Sequence, residues 1–228
     1  MKYLRLLVIV SIILFGTSCS KEDEKWKLPT DVSFKMDVNR SSLHSGQLNF
    51  TGGTFNLTEF EIEGVRMQSD DIYFQRSFGG GTTISLNNIV IPSLDFDIPQ
   101  GTYTKIEIAF EAEGNGGNSI TVNGSYTNSS SNTYPLLLEI KEVELYSVIA
   151  KNGLGNSQII LSEDIASQVR IELDPVYWFQ SVSTTILDSA TLVNVAGVPT
   201  ILINDAYNGN ILDIVNDQID KGTDIVFE

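Results

Sequence analysis

Apolar and polar residues alternate strictly through Val32-Ser33-Phe34-Lys35-Met36-Asp37-Val38, the pattern of a strand with one face buried. The same period of two runs through residues 55–65, after a break at Thr51-Gly52-Gly53 that suits a hairpin entry. Ile72-Tyr73-Phe74 and Ile84-Ser85-Leu86 flank Gly79-Gly80-Gly81, which predicts a turn between two short strands. The clearest strand covers residues 103–111. Gly114-Asn115-Gly116-Gly117-Asn118 closes it before residues 120–126, which predicts a long antiparallel hairpin. Residues 136–140, 143–148 and 169–173 read as further strands. Short strands separated by glycine-rich turns predict a mainly β fold, an antiparallel β-sandwich, rather than βαβ units.

The pattern changes at Asp174-Pro175, where Asp can cap a helix and Pro fits its first turn. Val176, Phe179 and Val182 recur at helical spacing and predict a helix over 175–187. A second helix fits 210–221, with Gly222 as its stop. Between them Thr200-Ile201-Leu202-Ile203 suits either a strand or a loop crossing the core.

The N-terminus follows a different logic. Lys2 and Arg5 precede an apolar run at residues 6–15, about half of the roughly 20 residues that a spanning helix needs. Gly16-Thr17-Ser18 then lead to Cys19, so residues 1–18 read as a cleavable signal peptide. Cys19 is the only cysteine, which excludes a disulfide within the chain. Residues 19–30 form a tether rich in charge near its start, and residues 31–228 a single β-sandwich domain.

Hydrophobic residues make up 42% of the 228, enough for a sizeable core. The formal net charge is −15, and becomes −17 without Lys2 and Arg5. Such acidity opposes binding to phosphate backbones, so nucleic acid is not an expected partner.

Phe15-Gly16-Thr17-Ser18-Cys19 resembles a lipobox, with Gly16 where the family usually carries Leu. Ser20-Lys21-Glu22-Asp23-Glu24-Lys25 resembles the acidic signal that sends Bacteroidota lipoproteins to the outer face of the outer membrane; it also suits a solvated tether. Pro99-Gln100-Gly101-Thr102-Tyr103-Thr104-Lys105-Ile106 is similar to the P-x-G-x-Y-x-x-I element of surface lipoproteins in that group and of fimbrillin-like β-sandwich domains. Together these resemblances imply an outer-membrane lipoprotein that faces the cell surface, with a periplasm-facing lipoprotein as the alternative. Cys19 would carry acyl chains such as palmitate, each buried methylene contributing about 0.8 kcal/mol to anchoring. They imply an adhesive or accessory role and carry over no catalytic residue.

The inventory of reactive groups is thin. His44 is the only histidine, in a polar loop where an exposed role is expected, so Ser-His-Asp chemistry and Cys/His zinc sites find no support. No phosphate loop or dinucleotide fingerprint appears, and no cofactor or metal site is expected. Glu107, Glu111 and Glu113 share a strand period, which suits the solvent face of an amphipathic strand or, alternatively, a carboxylate pair. Asn204, Asp205, Asn208 and Asn210 gather hard oxygen atoms before the last helix, a pattern that turns and caps also produce. Tyr177 and Trp178 are candidates for a sugar-stacking platform, with core packing as the alternative. Asp188-Ser189-Ala190 resembles a Bacteroidota O-glycosylation motif at Ser189. Two functions from different classes fit. One is a non-enzymatic surface module that binds a glycan or protein, and the other is a carboxylate-dependent hydrolase of extracellular polysaccharide.

Overall fold

The segments of period two fold as strands because each offers one apolar edge to a common core. The structure, a computed structural model, describes residues 25–228; the signal segment, Cys19 and the acidic run at 20–24 lie outside the described residues. In chain order the strands are β1 (Val32–Val38), β2 (Leu48–Arg66), β3 (Ile72–Ser85), β4 (Ile89–Val90), β5 (Gly101–Ala112), β6 (Ile120–Thr127), β7 (Thr133–Ile140), β8 (Glu144–Ile149), β9 (Lys151–Asn152), β10 (Ile159–Leu161) and β11 (Ser167–Leu173). Helices α1 (Pro175–Trp178) and α2 (Thr184–Asp188) follow, then β12 (Leu192–Val195), β13 (Val198–Ile203), α3 (Gly209–Asn216) and β14 (Asp224–Phe227).

The strands form a β-sandwich-like pair of sheets. The smaller sheet has the order β4-β1-β11-β14-β9, and the larger runs β10-β5-β2-β6-β7-β13-β12, with β3 added on β2 and β8 on β5. Most neighbours are antiparallel, while β1–β11, β13–β7 and β14–β9 are parallel. Buried residues from Val32 to Phe227 make one continuous core. Phe34 of the smaller sheet meets Phe60 of the larger edge-on at 5.3 Å, a favoured aromatic geometry.

The larger sheet is organised by the 19-residue β2, roughly 60 Å of extended chain. Its first half pairs with β6 and its second with β5, so β5 and β6 lie end to end along one edge of β2. The hairpin expected from residues 103–126 is therefore absent: β5 and β6 each take β2 as partner and do not pair with one another. Asn56 marks the junction, donating its N–H to Ser119 O at 2.8 Å and accepting from Glu113 N at 3.1 Å. β7 and β8 repeat the tandem arrangement against β6 and β5.

Gly79, Gly80 and Gly81 do not reverse the chain either. They lie within β3, where Ser77 to Thr82 oppose only Glu59 to Leu57 of β2. Gly80 and Gly81 take positive φ, so the extra residues loop out as a bulge and the strand continues. The predicted helix over 175–187 divides in two. Asp174 caps α1 by accepting from Tyr177 N, but Ser183 starts a new helix by accepting from Ile186 N, and Phe179 and Val182 between them fill the core. The second predicted helix is shorter, ending at Asn216. Thr200 to Ile203 belong to β13, paired with β7.

The Pro99 turn places Tyr103 in the core, where its hydroxyl donates to Pro99 O at 2.7 Å. Simple alternation from Tyr103 would send Ile106 outward. A bulge removes the conflict: Val65 pairs with Lys105 and Arg66 with Tyr103, leaving Thr104 as the extra residue. Tyr103, Ile106 and Ile108 thereby all face inward. Burial pushes the Tyr103 phenol up to about 12, opposed in part by the charge of Arg66. Tyr103→Phe strands the Pro99 carbonyl and is expected to cost about 1–2 kcal/mol, seen as a fall in Tm of a few degrees in thermal melting.

The start of the described chain is clamped to this same end. Arg66 Nη1 donates to Trp26 O at 2.7 Å, Gln100 Nε2 donates to Lys25 O at 2.6 Å, and Pro29 bridges Pro99.

Candidate functional site

Period two also decides what the larger sheet shows to solvent. Over its outer face the registers of β3, β2, β5 and β8 set three rows side by side: Ser77-Glu59-Glu111-Leu145, Gln75-Glu61-Ala109-Ser147 and Tyr73-Glu63-Glu107-Ile149. Five glutamates thus share one face. Ala109 sits at its centre, and its small side chain leaves a trough. A hollow of about 320 Å³ lies toward Glu59, Glu111 and Leu145, and one of about 150 Å³ toward Glu63 and Glu107; both touch Glu61, Ala109 and Ser147.

Neighbouring side chains hold these carboxylates in place. Tyr73 Oη donates to Glu61 at 3.0 Å, Gln75 Nε2 donates to Glu59, and Thr58 Oγ1 donates to Glu111 at 2.6 Å. Ser147 Oγ and Lys105 Nζ both bond Glu107. The Lys105 hydrogen bond, then that of Ser147, holds the Glu107 carboxyl below its ordinary range, while Glu107 raises Lys105 in return. Desolvation first, and then Glu61 with the fields of Glu59 and Glu63, raises the Tyr73 phenol. Leu145 is 67% exposed and Ile149 is also exposed, so apolar surface borders the acids along β8.

Of the three glutamates grouped by sequence, Glu107 and Glu111 join this face, whereas Glu113 falls past the end of β5 and turns to the Asn56 junction. Glu59, Glu61 and Glu63 were missed as partners because the hairpin expected at 103–126 would have put β6 where β2 lies.

The other candidate residues are scattered. Trp178 is fully buried and its Nε1 donates to Lys221 O at 3.0 Å, so the indole belongs to the core and cannot serve as a stacking platform. Tyr177 is half-buried against Gly222. Ser189 is exposed at the end of α2, its Oγ donating to Ile186 O. Asp188 beside it accepts from Tyr126 Oη at 2.7 Å, which keeps that carboxyl below the usual range. Asn204 Oδ1 accepts from Ala206 N and Tyr207 N, while Asn208 Nδ2 donates to Leu202 O, both local turn bonds. His44 is half-buried rather than exposed, and its Nε2 is buried without a protein partner.

Behind the trough, the inner side of β8 carries Glu144 and Tyr146. Burial pushes Glu144 up to about 7, with the charges of Glu142 and Asp220 adding to it. The Tyr146 phenol is raised by burial and then by Glu144 and Asp220. Glu172 is raised as well, by burial. None of the described helices is long and apolar enough to cross a membrane.

No protein-family model, curated protein or solved structure matches the chain.

Proposed function

We propose that this chain is a lipid-anchored protein of the outer membrane that faces the cell surface and binds a partner without catalysis through the acidic trough. Residues 1–18 would direct export and acylated Cys19 would hold the domain at the bilayer. The trough carries the reading. It combines five oriented carboxylates with the exposed Leu145 and Ile149, a surface complementary to a cationic segment with apolar side chains, so a basic peptide or protein is the favoured ligand. The hydrolase alternative asks for a carboxyl held protonated within a cleft. The carboxyls that burial raises, Glu144 and Glu172, stand outside the trough, which favours binding.

Two measurements test this. A lysine-rich peptide with interspersed leucines should bind the full chain in detergent. Joint Glu59→Gln, Glu61→Gln and Glu111→Gln substitution should weaken it about tenfold at low salt, given roughly 0.5 kcal/mol for each exposed charge removed. Equal affinity for both chains would exclude the trough. Protease treatment of intact cells should degrade the native protein and spare a periplasmic control; protection of the protein would exclude the surface location.

A further inference from the structure

Single exposed apolar residues are ordinary on a protein surface, but a group of them at one end marks an interface. Leu154, Ile160, Ile165 and Met67 are 87%, 71%, 66% and 63% exposed, four of the five most exposed large apolar side chains among the described residues. All four lie at the end of the sandwich where β5 begins. Met67 N donates to Thr102 O at 3.0 Å and Ile160 stands opposite Thr102, so the two flank one residue across about 10 Å, two strand spacings. Gln158 links them to Leu154: its Nε2 lies 4.0 Å from Met67 Sδ, and its O accepts from the side chain of Asn152, which in turn accepts from Leu154 N. Ile165 sits in the turn between Leu161, opposite Gly101, and Ser167, whose N donates to Asp31 O at 2.8 Å.

The path of the chain says what covers this end. Residues 1–24 join the domain here, because Lys25 and Trp26 are held by Gln100 and Arg66, and Leu28 O accepts from Gln100 N at 2.9 Å. Leu28 is itself exposed. Trp26 is half-buried, with Lys25 Nζ 5.3 Å from its ring centroid, a pairing of apolar ring and cation that suits a lipid–water boundary. The exposed acids Asp70, Asp71, Glu163 and Asp164 border the group and would be repelled by anionic headgroups, so the matching surface carries no net charge.

We propose that this end of the domain rests on the membrane, with Leu28, Met67, Leu154, Ile160 and Ile165 entering the boundary between the headgroups and acyl chains of a zwitterionic bilayer. The inference rests on the acylated-anchor reading above. A tether alone would leave the domain free to tumble above the lipid, whereas the apolar group holds it in one orientation.

The chain from Cys19 onward, which holds every described residue and the single core, can be coupled through its lone cysteine to a maleimide lipid in phosphatidylcholine vesicles. Brominated phosphatidylcholine then quenches any tryptophan that reaches the bilayer. The only other tryptophan, Trp178, is enclosed in the core and gives a constant background, so the change reports Trp26. Quenching should fall about threefold when Met67→Glu and Ile160→Glu are combined, because each puts a charge into the boundary. It should not change in Val198→Glu, an exposed position on β13 in the half of the sheet built on β6 and β7. A Gly/Ser spacer of about 20 residues inserted after Ser20 should leave the native quenching within about twofold, a measurement that needs no substitution in the domain. Equal quenching with and without the glutamates, equal loss in Val198→Glu, or loss with the spacer would each overturn the proposal. So would sedimentation of the uncoupled chain as a dimer that Met67→Glu separates, which would put a second copy on this surface. Because the maleimide supplies the anchor, these outcomes bear on the surface alone. The mass of the Cys19 peptide from native membranes tests the anchor, and an unmodified cysteine would remove that reading and this inference with it.

Discussion

Trp178→Ala should lower the stability of the domain by about 3–5 kcal/mol, a fall in Tm on the order of 10 °C for a chain of this size. The indole is fully enclosed where α1 meets the connection after α3, and Phe179 beside it packs against Phe50 of β2, the rings tilted with centroids 5.2 Å apart. Truncation would leave a cavity and also strand the Lys221 carbonyl that Nε1 now satisfies. Trp178→Phe separates the two costs. It keeps most of the apolar volume and should lose about 1–3 kcal/mol, chiefly from the missing hydrogen bond. Chemical denaturation of the three proteins would check this. If Trp178→Ala unfolded at the native denaturant concentration, the indole would not be a core residue.

Gly53→Ala should be comparably damaging, about 3–5 kcal/mol, although it adds a single methyl group. A Cβ at residue 53 would lie 1.9 Å from Thr121 O and 2.9 Å from Thr121 C, both backbone atoms of the paired strand β6. No rotamer change relieves such a contact, so β2 and β6 would have to separate. Thr54 and Thr121 would part with them, losing the hydroxyl contact at 2.6 Å and the bond from Thr54 N to Thr121 Oγ1. Gly116→Ala is the control, because its added Cβ meets nothing within 4 Å, although its positive φ carries a modest strain. Melting curves in which residues 53 and 116 tolerated alanine equally would contradict the close approach of β2 and β6.

The contrast between these glycines shows what could be read from the sequence. Strand existence was legible, because Phe34, Met36, Ile106 and Ile108 alternate with polar residues wherever one face is buried. Strand partners were not. Gly114 to Asn118 reads as a hairpin turn, and only the length of β2, with room for two strands in tandem, makes it a joint instead. The same limit hid the trough. Periodicity put Glu107 and Glu111 on one face, but the row from Ser77 through Glu59 and Glu111 to Leu145 depends on pairing Glu59 with Glu111 across 52 residues of sequence. Bulges erase phase locally, as at Thr104, where counting by two fails although every inward residue is apolar. Asp174 announced its cap correctly, whereas the break before Ser183 was masked by apolar spacing that the core, not a helix, required.

The clamp of Trp26 and Lys25 onto Arg66 and Gln100 fixes the leash. Were Cys19 acylated in a bilayer as proposed, the ten residues from there to Pro29 would reach at most about 35 Å. The end of the sandwich that holds Pro29 and Pro99 would then stand nearest the membrane. Glu63 and Glu107 would look down toward the lipid headgroups, while Glu59, Glu111 and Leu145 would lead outward, so an arriving partner would meet the wide mouth of the trough before its narrow one.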